Sequence, residues 1–150
     1  MTRMNKVLDV DLNGRVVTVE CGISWSELCD YLRKIEIGYY PGSTGPASGF
    51  GATIGGGLSN NSLGGGGAQL YGACTDQCVG LEVVLPTGEV IQTGAKANKY
   101  MHRAFSRHGL GADYSGLFFG DVGIHGIKTK ASLNIYPLPE YVGYNTFDIP

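Results

Sequence analysis

A chain of 150 residues, 43% hydrophobic and only 16% charged, is enough for one domain with a real core or for part of a larger protein. Its net charge of −2 and lack of a basic stripe exclude a nucleic-acid footprint, and no apolar run is long enough to span a membrane. The first residues carry no leader pattern, so a cytoplasmic setting is expected, while a charged share below the usual figure of about 25% points to surface that meets a ligand, another domain or another chain.

Lys6–Val10 reads as a short strand, and Asn13-Gly14 is a two-residue hairpin turn that returns the chain through the alternating β-branched run Arg15–Cys21. Ser24-Trp25-Ser26-Glu27 fits a capping box, with Ser24 as N-cap and Glu27 three residues on. The helix that follows places Leu28, Tyr31, Leu32 and Ile35 at core spacing and stops by Gly38. Beyond a glycine-rich segment, Val79–Leu85 and Glu89–Thr93 form a second hairpin around Pro86-Thr87-Gly88. Asn98–Ser106 is predicted as a short helix, Gly109–Asp113 as a loop, and Ile127–Tyr136 as a strand stopped by Pro137 and Pro139. The fold class is therefore α+β, a mostly antiparallel sheet of about five strands flanked by helices.

The segment Pro41–Gly72 holds twelve of the 25 glycines and no Lys, Arg, Asp or Glu. Glycine is conformationally expensive, so a fold collects it where turns are unusual or where the backbone must come close to a ligand. Interleaved Thr, Ser and Asn add short polar groups, a combination that suits a large, planar, phosphate-bearing cofactor. A flexible linker would not need the apolar punctuation of Ala52–Ile54, Leu58, Leu63 and Leu70–Tyr71. No lysine follows these glycines as a P-loop requires, and Gly49-x-Gly51 lacks the third glycine of a dinucleotide fingerprint.

Three ordered blocks, Ala52–Ser62 (ATIGGGLSNNS), Tyr71–Gly94 and Gly116–Pro139, together with Val16–Leu32, resemble the FAD-binding domain of the vanillyl-alcohol oxidase and p-cresol methylhydroxylase superfamily, the FAD-linked oxidases. The resemblance implies FAD as cofactor. It also implies an FAD-dependent oxidoreductase, oxidase or dehydrogenase, that oxidises an alcohol, hydroxy acid, phenol or aldose-like substrate by hydride transfer. The sheet is expected to match the second subdomain of the p-cresol methylhydroxylase-type domain. The family's P-G-S turn falls on Pro41, Gly42 and Ser43, and its T-[IV]-G-G on Thr53, Ile54, Gly55 and Gly56. Ser59 resembles a pyrophosphate- or ribityl-side contact, Leu63 an apolar cofactor contact, and Gly126-Ile127 the turn whose backbone meets the nucleotide portion. Residues 1–140 are thus expected to be a partial FAD-binding domain, with 141–150 starting a linker or tail toward a cap domain. The family's arginine- and glycine-rich loop would precede residue 6 and its cap domain would follow residue 140, so further domains or a second chain are expected to complete the site. A non-catalytic subunit that only pairs with a partner chain is the alternative, and homo-oligomerisation stays open. Asp121-Val122-Gly123 departs from the family's small residue followed by Glu-Gly.

The other polar residues read first as structural. Arg103, Arg107 and His108 suggest a solvated helix face, with a substrate-carboxylate grip as the alternative. His125 lies within the late glycine turn, and Glu82 faces water or a partner from its strand. Asp76 suits either a turn or the adenine side. Cys21, Cys29, Cys74 and Cys78 match no common zinc spacing and are expected to be reduced, buried thiols, so no metal is expected.

Overall fold

Turn chemistry and β-branched alternation translate directly into pairing. The computed structural model describes residues 3–42, 50–64, 67–108, 111–141 and 143. Strands β1 (Val7–Asp11) and β2 (Val16–Glu20) form the first hairpin, and β4 (Cys78–Val84) and β5 (Val90–Gln92) the second. The long last strand β6 (Ile127–Pro137) runs antiparallel between β2 and β4, giving the order β1-β2-β6-β4-β5. A strand the sequence did not announce, β3 (Tyr39–Pro41), pairs with the far end of β6 through Pro41 and Ile135.

One face of this sheet is apolar because every second residue is. Val17 opposes Leu133, Val19 opposes Ala131, and Ala131 opposes Leu81. Helix α1 (Trp25–Lys34) covers that face with Trp25, Leu28 and Leu32, all essentially inaccessible. Its capping box is complete: Glu27 N–H donates to Ser24 Oγ at 3.1 Å, and Ser24 N–H to Glu27 Oε2 at 2.8 Å. Tyr31 and Ile35, expected in the core, are largely exposed, because the core-facing stripe is narrower than the apolar spacing suggested and the helix ends at Lys34.

The opposite face is crossed by residues 94–108 rather than by the helix expected over Asn98–Ser106. A 3-10 turn forms at Gly94–Ala97 instead. Tyr100 N–H bonds to Asn98 Oδ1, a local side-chain acceptor that competes with helix formation. Ala95 N–H bonds to Ser106 O, and Arg103 reaches across to Asp11 at 2.6 Å, so the segment is tied down as an irregular cover whose Ala104 clusters with Val16 and Val79. A second 3-10 turn spans Tyr114–Phe118. Among the described residues no helix is long and apolar enough to cross a membrane, no group of residues is arranged to hold a metal ion, and Cys21, Cys29 and Cys78 are free thiols, Cys29 only partly buried.

Candidate functional site

The described part of the glycine segment holds two short helices that the sequence pattern did not reveal. Helix α2 (Ile54–Ser59) buries Ile54 and Leu58 in the core, and α3 (Ala68–Tyr71) closes the segment. Three consecutive glycines erase the amphipathic signal of α2. What remained was Thr53 as N-cap and the i, i+4 pair Ile54/Leu58. Gly57 is on the inner side of this helix, where a Cβ would come 2.9 Å from Trp25 Nε1. Gly56 is on the outer side and exposed. A Cβ there would meet only Thr53 Oγ1 at 3.1 Å, and one on Gly51 would meet nothing within 4 Å.

The start of α2 is fully hydrogen-bonded from within. Ile54 N–H donates to Ile23 O at 2.9 Å, Gly55 N–H to Cys21 O at 2.8 Å, Gly56 N–H to Thr53 Oγ1 at 3.1 Å, and Gly57 N–H to Thr53 O at 2.9 Å. Trp25 N–H also bonds to Ala52 O. The four amides of Ile54 to Gly57 are thus spent within the protein, those of Ile54 and Gly55 tying α2 to the residues just before α1. What α2 presents outward is a bare backbone face with Thr53, Gly56 and Ser59 along it.

The other predicted site residues are placed as follows. Pro41 and Gly42 are buried, and Gly42 is packed so closely on the rings of Tyr136 and Tyr71 that a Cβ would fall 2.5 Å and 2.8 Å from them. Ser43 lies outside the described residues. Leu63 is 72% exposed. Gly126 presses on β4, where a Cβ would lie 2.8 Å from Val84 O, and Ile127 opens β6 with its side chain exposed. The late glycine turn and α2, some sixty residues apart in sequence, meet: Gly120 N–H donates to Leu58 O at 3.1 Å and Val122 N–H to Ser59 O at 2.9 Å.

Three features of this region were not legible beforehand. Tyr40 Oη and Tyr71 Oη are 2.7 Å apart, and the Tyr71 and Tyr136 rings pack at 4.0 Å between centroids, so Gly42 and Gly67 are drawn together. Burial, together with the Tyr71 hydroxyl, pushes the Tyr40 phenol up to about 12. Second, Lys128 Nζ and Asp121 Oδ1 form an ion pair at 2.7 Å with both side chains almost completely buried. Burial alone would raise the Asp121 carboxyl, but the Lys128 ammonium and the amides of Gly123 and His125 outweigh it and hold it below the usual range. Third, Glu82 is not turned to water: it accepts from Lys130, Gln92 and Thr129, each at 2.8 Å.

The polar residues weighed as ligands have structural partners. Arg107 grips Asp113 through Nε at 2.8 Å and Nη2 at 2.7 Å, donates to Thr75 O, and lies over the Phe119 ring. Asp76 accepts from Ala73 N–H at 2.8 Å, a turn role. His125 Nδ1 lies 2.7 Å from Leu117 O, a carbonyl that can only accept, so that nitrogen is the donor. The buried thiols Cys21 and Cys78 are pushed up by burial, Cys78 to about 12, and stay protonated.

Leu63 beyond α2, and Val122, Ile124 and Ile127 in and after the late glycine turn, are exposed apolar side chains. The family model described as "FAD binding domain" matches residues 1–94. Glycolate oxidase subunit GlcD of Bacillus subtilis is 36% identical over 139 residues, covering 91% of this chain and 27% of that protein. The mitochondrial D-lactate dehydrogenase [cytochrome] of Arabidopsis thaliana is 32% identical over 141 residues, covering 94% and 22%. The chain thus spans about a quarter of the length of the curated relatives it matches. Among solved structures, an alkyldihydroxyacetonephosphate synthase superposes with a TM-score of 0.74 at 31% identity, over 94% of this chain and 23% of that one. Substrate-bound p-cresol methylhydroxylase superposes with a TM-score of 0.76 at 23% identity, over 94% and 26%, a likeness of fold. With its antiparallel sheet, its glycine helix and the late glycine turn docked on it, the chain belongs to the FAD binding domain family.

Proposed function

We propose that this chain is the FAD-holding part of a flavin-dependent oxidoreductase whose whole polypeptide or assembly oxidises a 2-hydroxy acid. The observation that carries the reading is the bare outer face of α2, with exposed Gly56 and open Gly51, held beside the late glycine turn. Relatives named glycolate oxidase and D-lactate dehydrogenase favour a hydroxy acid over a phenol or another alcohol. Thr53, Gly56, Ser59 and Leu63 would meet the flavin and its ribityl chain, and Gly126 and Ile127 the nucleotide portion. Ile54 and Gly55 hold α2 in place from beneath. When bound, FAD supplies the hydride acceptor. The task of this chain is to orient that group and exclude water, and the base that takes the substrate's hydroxyl proton is assigned to the rest of the protein. Free thiols at Cys21, Cys29 and Cys78 suit a reducing compartment, and we place the protein in the cytoplasm.

The test is direct. A ligand that binds only the folded state at about 100 times its dissociation constant raises stability by about 2.7 kcal/mol. FAD titrated into the purified chain should raise its melting temperature and quench flavin fluorescence, and riboflavin should do so less. No shift with FAD removes the reading.

A further inference from the structure

The turn Gly120–Gly126 is under strain that its own side chains do not relieve. Gly120, Val122 and Gly123 all have left-handed backbones, with φ of +64°, +53° and +81°. For a β-branched residue such as Val122 that conformation is unfavourable by roughly 1–2 kcal/mol. The Val122 side chain is 80% exposed, so burial does not compensate. Something beneath the turn must hold it. Asp121 is the residue that points inward: it accepts from Gly123 N–H at 3.0 Å and His125 N–H at 3.4 Å while its other contact is Lys128 Nζ at 2.7 Å. Lys128 projects from β6 immediately after Ile127, so the same ion pair ties the turn to the strand that begins at the expected nucleotide contact. On its other side the turn is bonded to α2 through Leu58 O and Ser59 O.

We propose that Asp121 and Lys128 are positioning residues: the ion pair sealed between turn and β6 fixes the strained Gly120–Ile127 backbone against α2 in the shape that receives the nucleotide end of FAD. This rests on the FAD reading above. The alternative is a buried pair that merely fills the core. Such pairs are often replaceable by apolar residues of similar volume without loss of stability, whereas removing one partner is strongly destabilising. That asymmetry makes the roles separable.

The decisive variant is Asp121→Leu combined with Lys128→Met, which leaves no buried charge but removes the acceptor for Gly123 and His125. Hydrogen exchange would be followed at the turn amides and, as reference, in α1 and β4. FAD affinity would be read from flavin fluorescence. The expected result is unchanged protection in α1 and β4, at least about tenfold faster exchange at Gly123 and His125, and FAD binding weakened by about tenfold, equivalent to about 1.4 kcal/mol. Lys128→Met alone should be less stable than the double variant, because it leaves the Asp121 carboxylate buried without its cation. Turn exchange or FAD affinity at wild-type level in the double variant overturns the proposal, and so does loss of protection throughout β4, which would make the pair a core element only. If the wild-type chain itself takes up no FAD, the functional reading fails. If wild type and double variant bind FAD equally, this proposal alone fails.

Discussion

Gly67→Ala probes the contact between Gly42 and Gly67 with a single methyl group. Gly67 has φ of −93°, which any residue adopts, so the substitution carries no backbone penalty of the left-handed kind. Its Cβ would land on the carbonyl oxygen of Gly42, with Gly42 C at 2.9 Å and the Tyr71 ring at 3.3 Å. The obstacle is main chain, fixed by β3 pairing with β6 and by Tyr136 stacked on Tyr71, so it does not swing aside as a flexible side chain would. Overpacking of this kind costs about 1–3 kcal/mol, and the loss of glycine freedom in the unfolded chain offsets about 0.4–1 kcal/mol. The net destabilisation is roughly 1–2 kcal/mol, which for a chain this long lowers the melting temperature by about 3–8 °C. Thermal and urea unfolding measure it. Amide exchange at Tyr71 and Gly72, whose N–H groups bond to Gly67 O and Ala68 O, should accelerate more than exchange in α1. Gly88→Ala is the control. Its φ is +86° with nothing within 4 Å of the new methyl, so only the left-handed penalty of about 1 kcal/mol applies and Tyr71 exchange stays unchanged. A melting temperature in Gly67→Ala within about 1 °C of wild type would show that Gly42 yields freely and that the two glycines are not locked together.

Gly57→Ala places a methyl 2.9 Å from the inaccessible Trp25 indole, and we expect a loss of about 1–2 kcal/mol despite the better helix propensity of alanine, with a changed Trp25 fluorescence maximum. Tyr71→Phe keeps the stack on Tyr136 but removes the bond to Tyr40, lowering stability by about 1 kcal/mol in urea unfolding; no change would mean that water replaces the hydroxyl. Asp121, Asp113 and Glu82 are each raised by burial and lowered further by their cationic partners, to a net depression. Their stabilisation is therefore present above the ordinary carboxylate range near pH 4 and is lost as pH falls through the depressed values, so urea midpoints should decline below about pH 4.5, and a flat acid limb would contradict the ion-pair assignments. Cys21 and Cys78, raised by burial, should resist a thiol reagent in the native chain and react once it is unfolded.

The hairpins and the first helix were readable because their signals are local. Asn13-Gly14, Pro86-Thr87-Gly88 and the Ser24/Glu27 box each specify a turn or a cap within four residues. Helix α2 was hidden because Gly55, Gly56 and Gly57 carry no side chains to show a period. Thr53 with Ile54 and Leu58 was the trace it left. The helix expected over Asn98–Ser106 failed because that segment is held by Arg103 on Asp11 and Ala95 on Ser106, contacts that no local pattern encodes. Asp121 looked like a departure from the family, and Lys128 matched the family's Gly-Ile-x-Thr turn at Gly126–Thr129. Only the fold makes them partners, although a lysine among the apolar residues of Ile127–Tyr136, seven positions after an aspartate, was the available hint. Thr53, Gly56 and Ser59 were singled out one by one as cofactor contacts in a segment without visible period; the fold sets them along one short helix whose first amides bond inward.

The order of synthesis matters for a sheet whose central strand is made last. Until Ile127–Pro137 has left the ribosome, β2 and β4 have no common partner and two hairpins must wait with open edges. At about 5–20 residues per second that interval is several seconds, long compared with hairpin closure in microseconds. Nascent chains stalled before Ile127 should therefore attract chaperones and self-associate, and completion of β6 is the event that commits the polypeptide to its native topology.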